Sequence, residues 1–330
     1  MNDAPLVAIV EKDAVDKAIR ELKEDGCYDS DRRIREADDD TVALPVTSAP
    51  VESSVGTIQI DDAPDFRIRD LDDLLRERGF DADERKNAPH SWAVIGTVIL
   101  ARFDGCEREH AVGEALLALH RSADTVLATE GIDGAHREPQ VRVIAGEGDT
   151  ETIHHEHGTA YAMDLAEVMF SPGNKAERSR MGDVVTSGEV VFDMFAGIGY
   201  FTLPMARAGA EVIATERNPT AFQFLLENAA LNDVTDRIDA YRADCREIQP
   251  QADRVVMGYY DARDYLQAGL DALVPGGTIH LHDVAPIDTP FSDASNALTA
   301  AGLTIRDQRV VKTHSPGLAH VVIDAEHRSG

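Results

Sequence analysis

The sequence is poor in cysteine, lysine and aromatic residues, and it holds no long apolar run. Its three cysteines, Cys27, Cys106 and Cys245, stand far apart and odd in number among 330 residues. That argues against a disulfide framework and a zinc site and fits a reducing cytoplasm. No stretch approaches the roughly 20 apolar residues that cross a bilayer. The N-terminus lacks the basic-then-apolar pattern of a secretory signal, so neither a membrane nor export is expected. Lysine is confined to Lys12, Lys17, Lys23, Lys86, Lys175 and Lys312, while 60 acidic residues face 32 basic ones, a net charge of −28. Phosphate recognition ordinarily uses basic surface, so this balance speaks against a nucleic-acid partner at low salt. It also looks like the surface of a halophile's protein. At molar salt the Debye length is about 3 Å, and repulsion of an RNA becomes short-ranged. Charge here speaks to habitat more than to partner. A P-loop is excluded, because no Gly-Lys-Ser/Thr triplet occurs.

What is present is concentrated in residues 190–219. An apolar strand ends in Asp193, a Gly-x-Gly turn follows (Gly197, Gly199), then a helix-like stretch and a second apolar strand ending in Glu216. This is the first βαβ half of a doubly wound sheet. The glycines allow close backbone approach to a ligand, and the strand-end carboxylate suits ribose hydroxyls. A dinucleotide site wants a third glycine, but that position is Thr202, with Tyr200 and Phe201 crowding the phosphate place. The remaining ligand is a nucleoside without phosphate, S-adenosylmethionine (SAM). The run Asp-x-Phe-x-Gly-x-Gly plus the strand-end acid resembles the first two motifs of class I SAM-dependent transferases.

The C-terminal half keeps the same rhythm. Residues 219–232 read as a helix with Pro219 at its start and apolar residues at helical spacing. Strands are expected at 238–242, 253–257 and 278–282. An antiparallel pair is expected at 305–312 and 319–324, around the Ser315-Pro316-Gly317 turn. Upstream, residues 1–48 read as a small α/β module and 49–66, rich in Ser, Pro and Asp, as a linker. Residues 67–168 read as an α+β domain without βαβ regularity, and 169–330 as the catalytic domain. The middle domain carries helices at 71–79 and 107–121 and strands at 93–100, 125–129, 141–145, 151–156 and 159–164. His155 and His157 would share a strand face, but no second ligand cluster accompanies them. No metal is expected.

Several further segments carry a family resemblance over essentially the whole chain. They are Val-Met-Phe-Ser-Pro-Gly-Asn-Lys-Ala-Glu-Arg-Ser-Arg-Met-Gly (168–182), Asp-Arg-Val-Val-Met-Gly (253–258), Gly-Gly-Thr-Ile-His-Leu-His (276–282) and Lys-Thr-His-Ser-Pro-Gly-Leu-Ala-His-Val-Val-Ile-Asp (312–324). In the middle module, Gly-Ile-Asp-Gly-Ala-His-Arg (131–137) belongs with them. Together they resemble the archaeal and eukaryotic group that holds the tRNA guanosine N1-methyltransferase and the wybutosine-synthesis aminocarboxypropyltransferase. Both act on the purine 3′ of the anticodon.

The resemblance implies an α/β, Rossmann-like, mostly parallel seven-stranded sheet preceded by the two smaller modules. It implies a cytoplasmic, monomeric enzyme acting on the anticodon loop of tRNA(Phe), with SAM as donor. The stretch after the fourth strand, Met257-Gly-Tyr-Tyr, lacks the Asn-Pro motif of the methyltransferase branch. The junction reads Phe-Ser-Pro-Gly-Asn, and His280 and His282 alternate on a strand. These departures favour transfer of the 3-amino-3-carboxypropyl group to C7 of 4-demethylwyosine at position 37. The alternative is guanine-37 N1-methylation. By resemblance Ser171 and Arg178 contact the cofactor, Glu216 holds its ribose, Asp244 and Cys245 flank its adenine, and Asp193, Phe195, Gly197 and Gly199 shape its loop. Glu177 matches the methyltransferase general base; His280 and Tyr259 are the other catalytic candidates, Tyr259 and Tyr260 as stacking platforms for an extruded base. Arg102, Arg137 and Arg142 are candidate RNA contacts.

Overall fold

The computed structural model describes residues 4–50, 55–134 and 138–327; Arg137 lies outside them. The chain forms two compact units, 1–86 and 87–330.

In the first unit, four antiparallel strands lie in the order Arg35–Glu36, Thr41–Val46, Leu6–Glu11, Thr57–Ile60. The helix Val15–Glu24 buries Ala18 and Leu22. Residues 57–60, read above as linker, are thus an edge strand. Their side chains are mostly exposed and the backbone supplies the pairing, so composition concealed them. The residue after that strand, Asp61, is buried against Arg32, whose Nη1 donates to it at 2.9 Å. The helices Leu71–Glu77 and Ala82–Lys86 also belong to this unit, so its boundary falls later than residue 48.

The second unit begins with a four-stranded sheet. Residues 93–100, expected as one strand, are a hairpin of Trp92–Ile95 and Val98–Ala101. Gly96, at φ +56°, turns it. Val98–Ala101 runs parallel to Thr125–Asp133 with the helix Glu109–Leu119 between them, a βαβ step the sequence reading did not contain. Glu138–Gly146 completes the sheet. A separate hairpin pairs Glu151–Glu156 with Thr159–Asp164. Tyr161 and Met163 of that hairpin share one core with Leu203 and Leu225 of the catalytic domain, so no break in packing marks residue 168.

The seven-stranded sheet is built from β1 (Val190–Asp193), β2 (Glu211–Thr215), β3 (Ile238–Tyr241), β4 (Ala252–Met257), β5 (Leu273–Pro286), β6 (Leu303–Ser315) and β7 (Leu318–His327). Their order is β3-β2-β1-β4-β5-β7-β6, all parallel except β7. β1 and β4 are apolar and buried because helices cover both faces, as parallel sheets require. Each fully buried Val or Phe there contributes about 1.5–3 kcal/mol. Three helices bear on the site: α1 (Lys175–Val184), α2 (Thr202–Arg207) and α3 (Pro219–Leu231). α3 starts where expected. Pro219 occupies its first turn, and the Asn218 side chain accepts from the Thr220 and Ala221 amides. The strand order reverses between β1 and β4, which opens a crevice at their carboxyl ends.

Candidate active site

A pocket lies in that crevice. One side of it is walled by the ends of β1, β2 and β3 through Phe195, Gly197, Glu216, Asp244 and Cys245. Gly197 has φ +57°, and a Cβ there would lie 2.4 Å from the Tyr200 ring, so only glycine fits. Its amide donates to Glu216 Oε2 at 2.9 Å, while the Asn218 amide donates to Oε1 at 2.7 Å. Burial raises the Glu216 carboxyl above its ordinary range. The Asp244 carboxylate is lowered, first by the Arg246 side chain that pairs with it and then against the opposing effect of burial. Burial, with Asp244 adding to it, pushes the Cys245 thiol up to about 12, so it is an inert wall residue.

Two expected loop residues are set back from this wall. Asp193 is fully buried, accepting from Thr202 Oγ1 at 2.7 Å and the Phe195 amide at 3.4 Å. Burial raises its pKa to about 6, and Glu216 adds to the effect. It therefore braces the turn from beneath. Gly199, at φ +103°, faces Leu203 and Leu225, where a Cβ would clash, so it serves packing of α2 and α3.

Ser171 and Arg178 reach the pocket, but Arg178 is already engaged. Its Nε and Nη2 donate to the Glu156 carboxylate at 2.8 Å each, Nη1 donates to the Ser171 carbonyl, and the guanidinium lies over the Phe170 ring. Glu156 comes from the hairpin, where His154 Nε2 also meets it at 3.2 Å. The histidine run is thereby partly a structural clamp. Among the described residues no group of three or more His, Cys, Asp and Glu side chains is arranged to hold a metal. Lys312, from β6, donates to Ser171 Oγ at 2.6 Å. Burial, then Arg178, lowers its pKa.

The expected catalytic residues separate. Tyr259 does line the pocket; it stacks on Phe195 with centroids 5.1 Å apart, and Tyr265 meets both rings edge-on. Glu177 lies off the wall. Arg309 holds both its oxygens, Nε donating at 2.9 Å and Nη2 at 2.6 Å. His280 is also off the wall. Its Nδ1 lies 2.6 Å from Asp324 Oδ1 and its Nε2 2.5 Å from Arg254 Nη1. These residues form a charged layer on one face of the sheet, which corrects the placement of Glu177 and His280 beside the reacting groups. One residue further toward the carboxyl edge than Leu281, the partner of Met257, stands His282, and it does line the pocket. Its Nδ1 lies 3.0 Å from His320 Nε2, and His320 lines the pocket as well. Burial pushes both down to about 3, with His280 adding to the effect on His282 and His282 adding to the effect on His320. Both histidines lie in the segments 276–282 and 312–324 that carry the family resemblance, yet neither stands among the expected site residues. Only the insertion of β7 beside β5 brings them together. Of the candidate RNA contacts, Arg102 is exposed, and Arg142 is paired with Glu109 and Glu130.

This strand order, glycine turn and strand-end carboxylate define a class I SAM-dependent transferase fold. Residues 152–308 match the TRM5/TYW2 methyltransferase domain and residues 71–150 the TYW2 N-terminal domain. The chain is 37% identical to the Pyrococcus horikoshii tRNA(Phe) (4-demethylwyosine(37)-C(7)) aminocarboxypropyltransferase, over 72% of this chain and 90% of that protein. It is also similar to the crystal structure of P. horikoshii TYW2 in complex with MeSAdo (TM-score 0.67, 33% identity, 79% of this chain and 98% of that one). The crystal structure of Pyrococcus abyssi Trm5b resembles it too (TM-score 0.77, 28% identity, 97% and 98%). The chain belongs to the TRM5/TYW2 family.

Proposed function

We propose that this protein transfers the 3-amino-3-carboxypropyl group of SAM to C7 of 4-demethylwyosine at position 37 of tRNA(Phe), acting as a monomer in the cytoplasm. The observation that carries this reading is the aromatic segment Gly258-Tyr259-Tyr260 after β4, which supplies ring faces where the methyltransferase branch has an Asn-Pro motif. The named activity of the P. horikoshii relative supports it.

The residues present fit the donor. Glu216 faces the pocket with a half-buried carboxylate suited to two ribose hydroxyls, Asp244 and Cys245 form the adenine side, and Gly197 leaves the floor clear. When bound, SAM supplies a sulfonium that activates each attached carbon. The protein's task is then orientation: the carbon held in line with the nucleophile at about 3–3.5 Å is the one that reacts. Ser171, with Lys312 on its hydroxyl, stands at the wall for the amino-acid arm, and Glu156 fixes Arg178 behind it. Tyr259 and Tyr260 offer ring faces to a base taken out of the anticodon loop, an extrusion that costs a few kcal/mol.

A second reading, guanine-37 N1-methylation, is favoured by one observation: the Trm5b structure matches 97% of this chain, the first unit included. Incubation with carboxyl-labelled SAM and tRNA carrying 4-demethylwyosine decides between them. The expected result is label in RNA with methylthioadenosine released. Transfer from methyl-labelled SAM alone, with S-adenosylhomocysteine released, rejects the proposal.

A further inference from the structure

His282 and His320 are 1% and 0% exposed, share one hydrogen bond and line the pocket. Their outer nitrogens, His282 Nε2 and His320 Nδ1, are buried and make no hydrogen bond within the protein. A buried polar atom left unmatched is costly, so two of them on residues that line a pocket point to a ligand group there. The pair has a definite logic. One ring supplies the shared hydrogen and the other accepts it. Whichever way it lies, the two outer nitrogens are therefore one N–H donor and one lone-pair acceptor. A proton accepted at one end shifts the shared hydrogen and emerges at the other.

Topology places the pair against the acceptor and away from the nucleoside. The ribose and adenine residues stand on β1, β2 and β3, whereas His282 and His320 stand on β5 and β7, across the strand reversal. The His320 ring lies 5.0 Å from the Tyr260 ring, and His282 lies 5.0 Å from Phe201, which in turn packs on Gly258. The pair thus adjoins the segment offered to the target base.

We infer that the hydrogen-bonded pair His282–His320 takes the proton from C7 of the target base and relays it out of the pocket. This rests on the aminocarboxypropyl reading. In that reaction a π electron pair of the base forms the new C7–carbon bond, and the electrons of the broken carbon–sulfur bond leave with sulfur as a neutral thioether. C7 then bears both its hydrogen and the new substituent, and the ring is cationic. Transfer of that hydrogen to the free imidazole lone pair returns the C–H electrons to the ring and restores it. The proton of such a cation is strongly acidic, so a weakly basic imidazole suffices. The two histidines stay neutral at working pH because burial keeps them so. Glu177, held by Arg309, is not required for this step.

The test uses the full chain, SAM and tRNA whose 4-demethylwyosine carries deuterium at C7, compared with H282Q, H320Q and the double variant. Glutamine keeps hydrogen bonding but cannot relay a proton. The wild type is expected to show no isotope effect, because proton loss follows the slower bond formation. Each variant should slow single-turnover transfer by about 10²–10⁴-fold and acquire a primary isotope effect. The double variant should fall no further than the worse single one, as residues acting as a unit do. SAM affinity by calorimetry should be unchanged. Variants that are isotope-silent, or that lose SAM binding in proportion to rate, overturn the assignment. If the variants do not fold, ¹⁵N-histidine spectra of the wild type decide. Two neutral rings are expected, and one outer nitrogen should move when substrate tRNA binds in the presence of methylthioadenosine; unmoved resonances overturn it. Release of S-adenosylhomocysteine by the wild type would instead sink the reading beneath.

Discussion

Asn232, at the end of α3, treats Ala160 as a strand partner: its Oδ1 accepts from the Ala160 amide at 2.9 Å and its Nδ2 donates to the Ala160 carbonyl at 2.7 Å. One helical turn earlier Asn228 does the same to Ala162, at 2.6 and 3.0 Å. Two amides at i and i+4 lie on one helix face, while residues 160 and 162 lie on one side of a strand, so the two periods match. The hairpin Glu151–Asp164, which carries Glu156 to Arg178, is thereby fastened to the SAM-side helix.

Replacing Asn228 by alanine removes the partner of the part-buried Ala162 amide and carbonyl and a buried donor to the Ile198 carbonyl. We expect destabilisation of about 1–3 kcal/mol for each group stranded, read as a lower urea midpoint at unchanged slope. A neutral substitution would show that the clamp is replaceable by solvent.

Glu177 is buried against Arg309, which stays partly exposed and also pairs with Asp307 and Asp324. E177A therefore strands no lone charge, and the loss of its charge-assisted hydrogen bonds, about 1.5–3 kcal/mol each, should lower the unfolding temperature. E177Q, assayed where it is folded, should retain the wild-type pH profile of transfer. A lost limb in that profile would restore the residue as the base.

Glu216 should bind the donor, while its bonds to the Gly197 and Asn218 amides brace only the turn around it. A charged acceptor contributes about 1.5–3 kcal/mol per hydrogen bond, so E216A should weaken SAM binding by at least tenfold in calorimetry with a near-native circular dichroism spectrum. Unchanged affinity would remove the ribose from this carboxylate.

Acid should destabilise the protein well above the carboxylate range. His282 and His320 accept a proton near 6.5 when unfolded but only near 3 when folded. Across that window the unfolded chain binds more protons, so stability falls as pH falls. Asp193 acts oppositely. Its folded pKa of about 6 exceeds the unfolded 3.8, so its contribution is lost as pH rises between them. Thermal midpoints from pH 7 to 4 should therefore drop less steeply in H282Q than in the wild type; parallel curves would contradict the histidine contribution.

Local features of the site were legible in the residues alone. Gly197 and the acid ending β2 are separated by a few turns of chain, and their roles follow from the strand-turn-helix-strand pattern that contains them. Helix α3 announced itself through Asn218 and Pro219. The edge strand Thr57–Ile60 did not, because its pairing is made by backbone atoms and its side chains face solvent. The expectation for His280 failed for a related reason. Positions 280 and 282 alternate identically on β5, and nothing local says that one meets Asp324 while the other meets His320.

By itself, then, the sequence determined the side of the crevice built on β1 and β2, where each residue's partner lies within one βαβ unit. The tertiary structure alone decided the side built on β5 and β7. Glu177 meets Arg309 across 132 positions and His282 meets His320 across 38. Which charges are buried together, and which nitrogens are left without a partner, depends on one antiparallel strand inserting between two others, a register that no short-range pattern encodes.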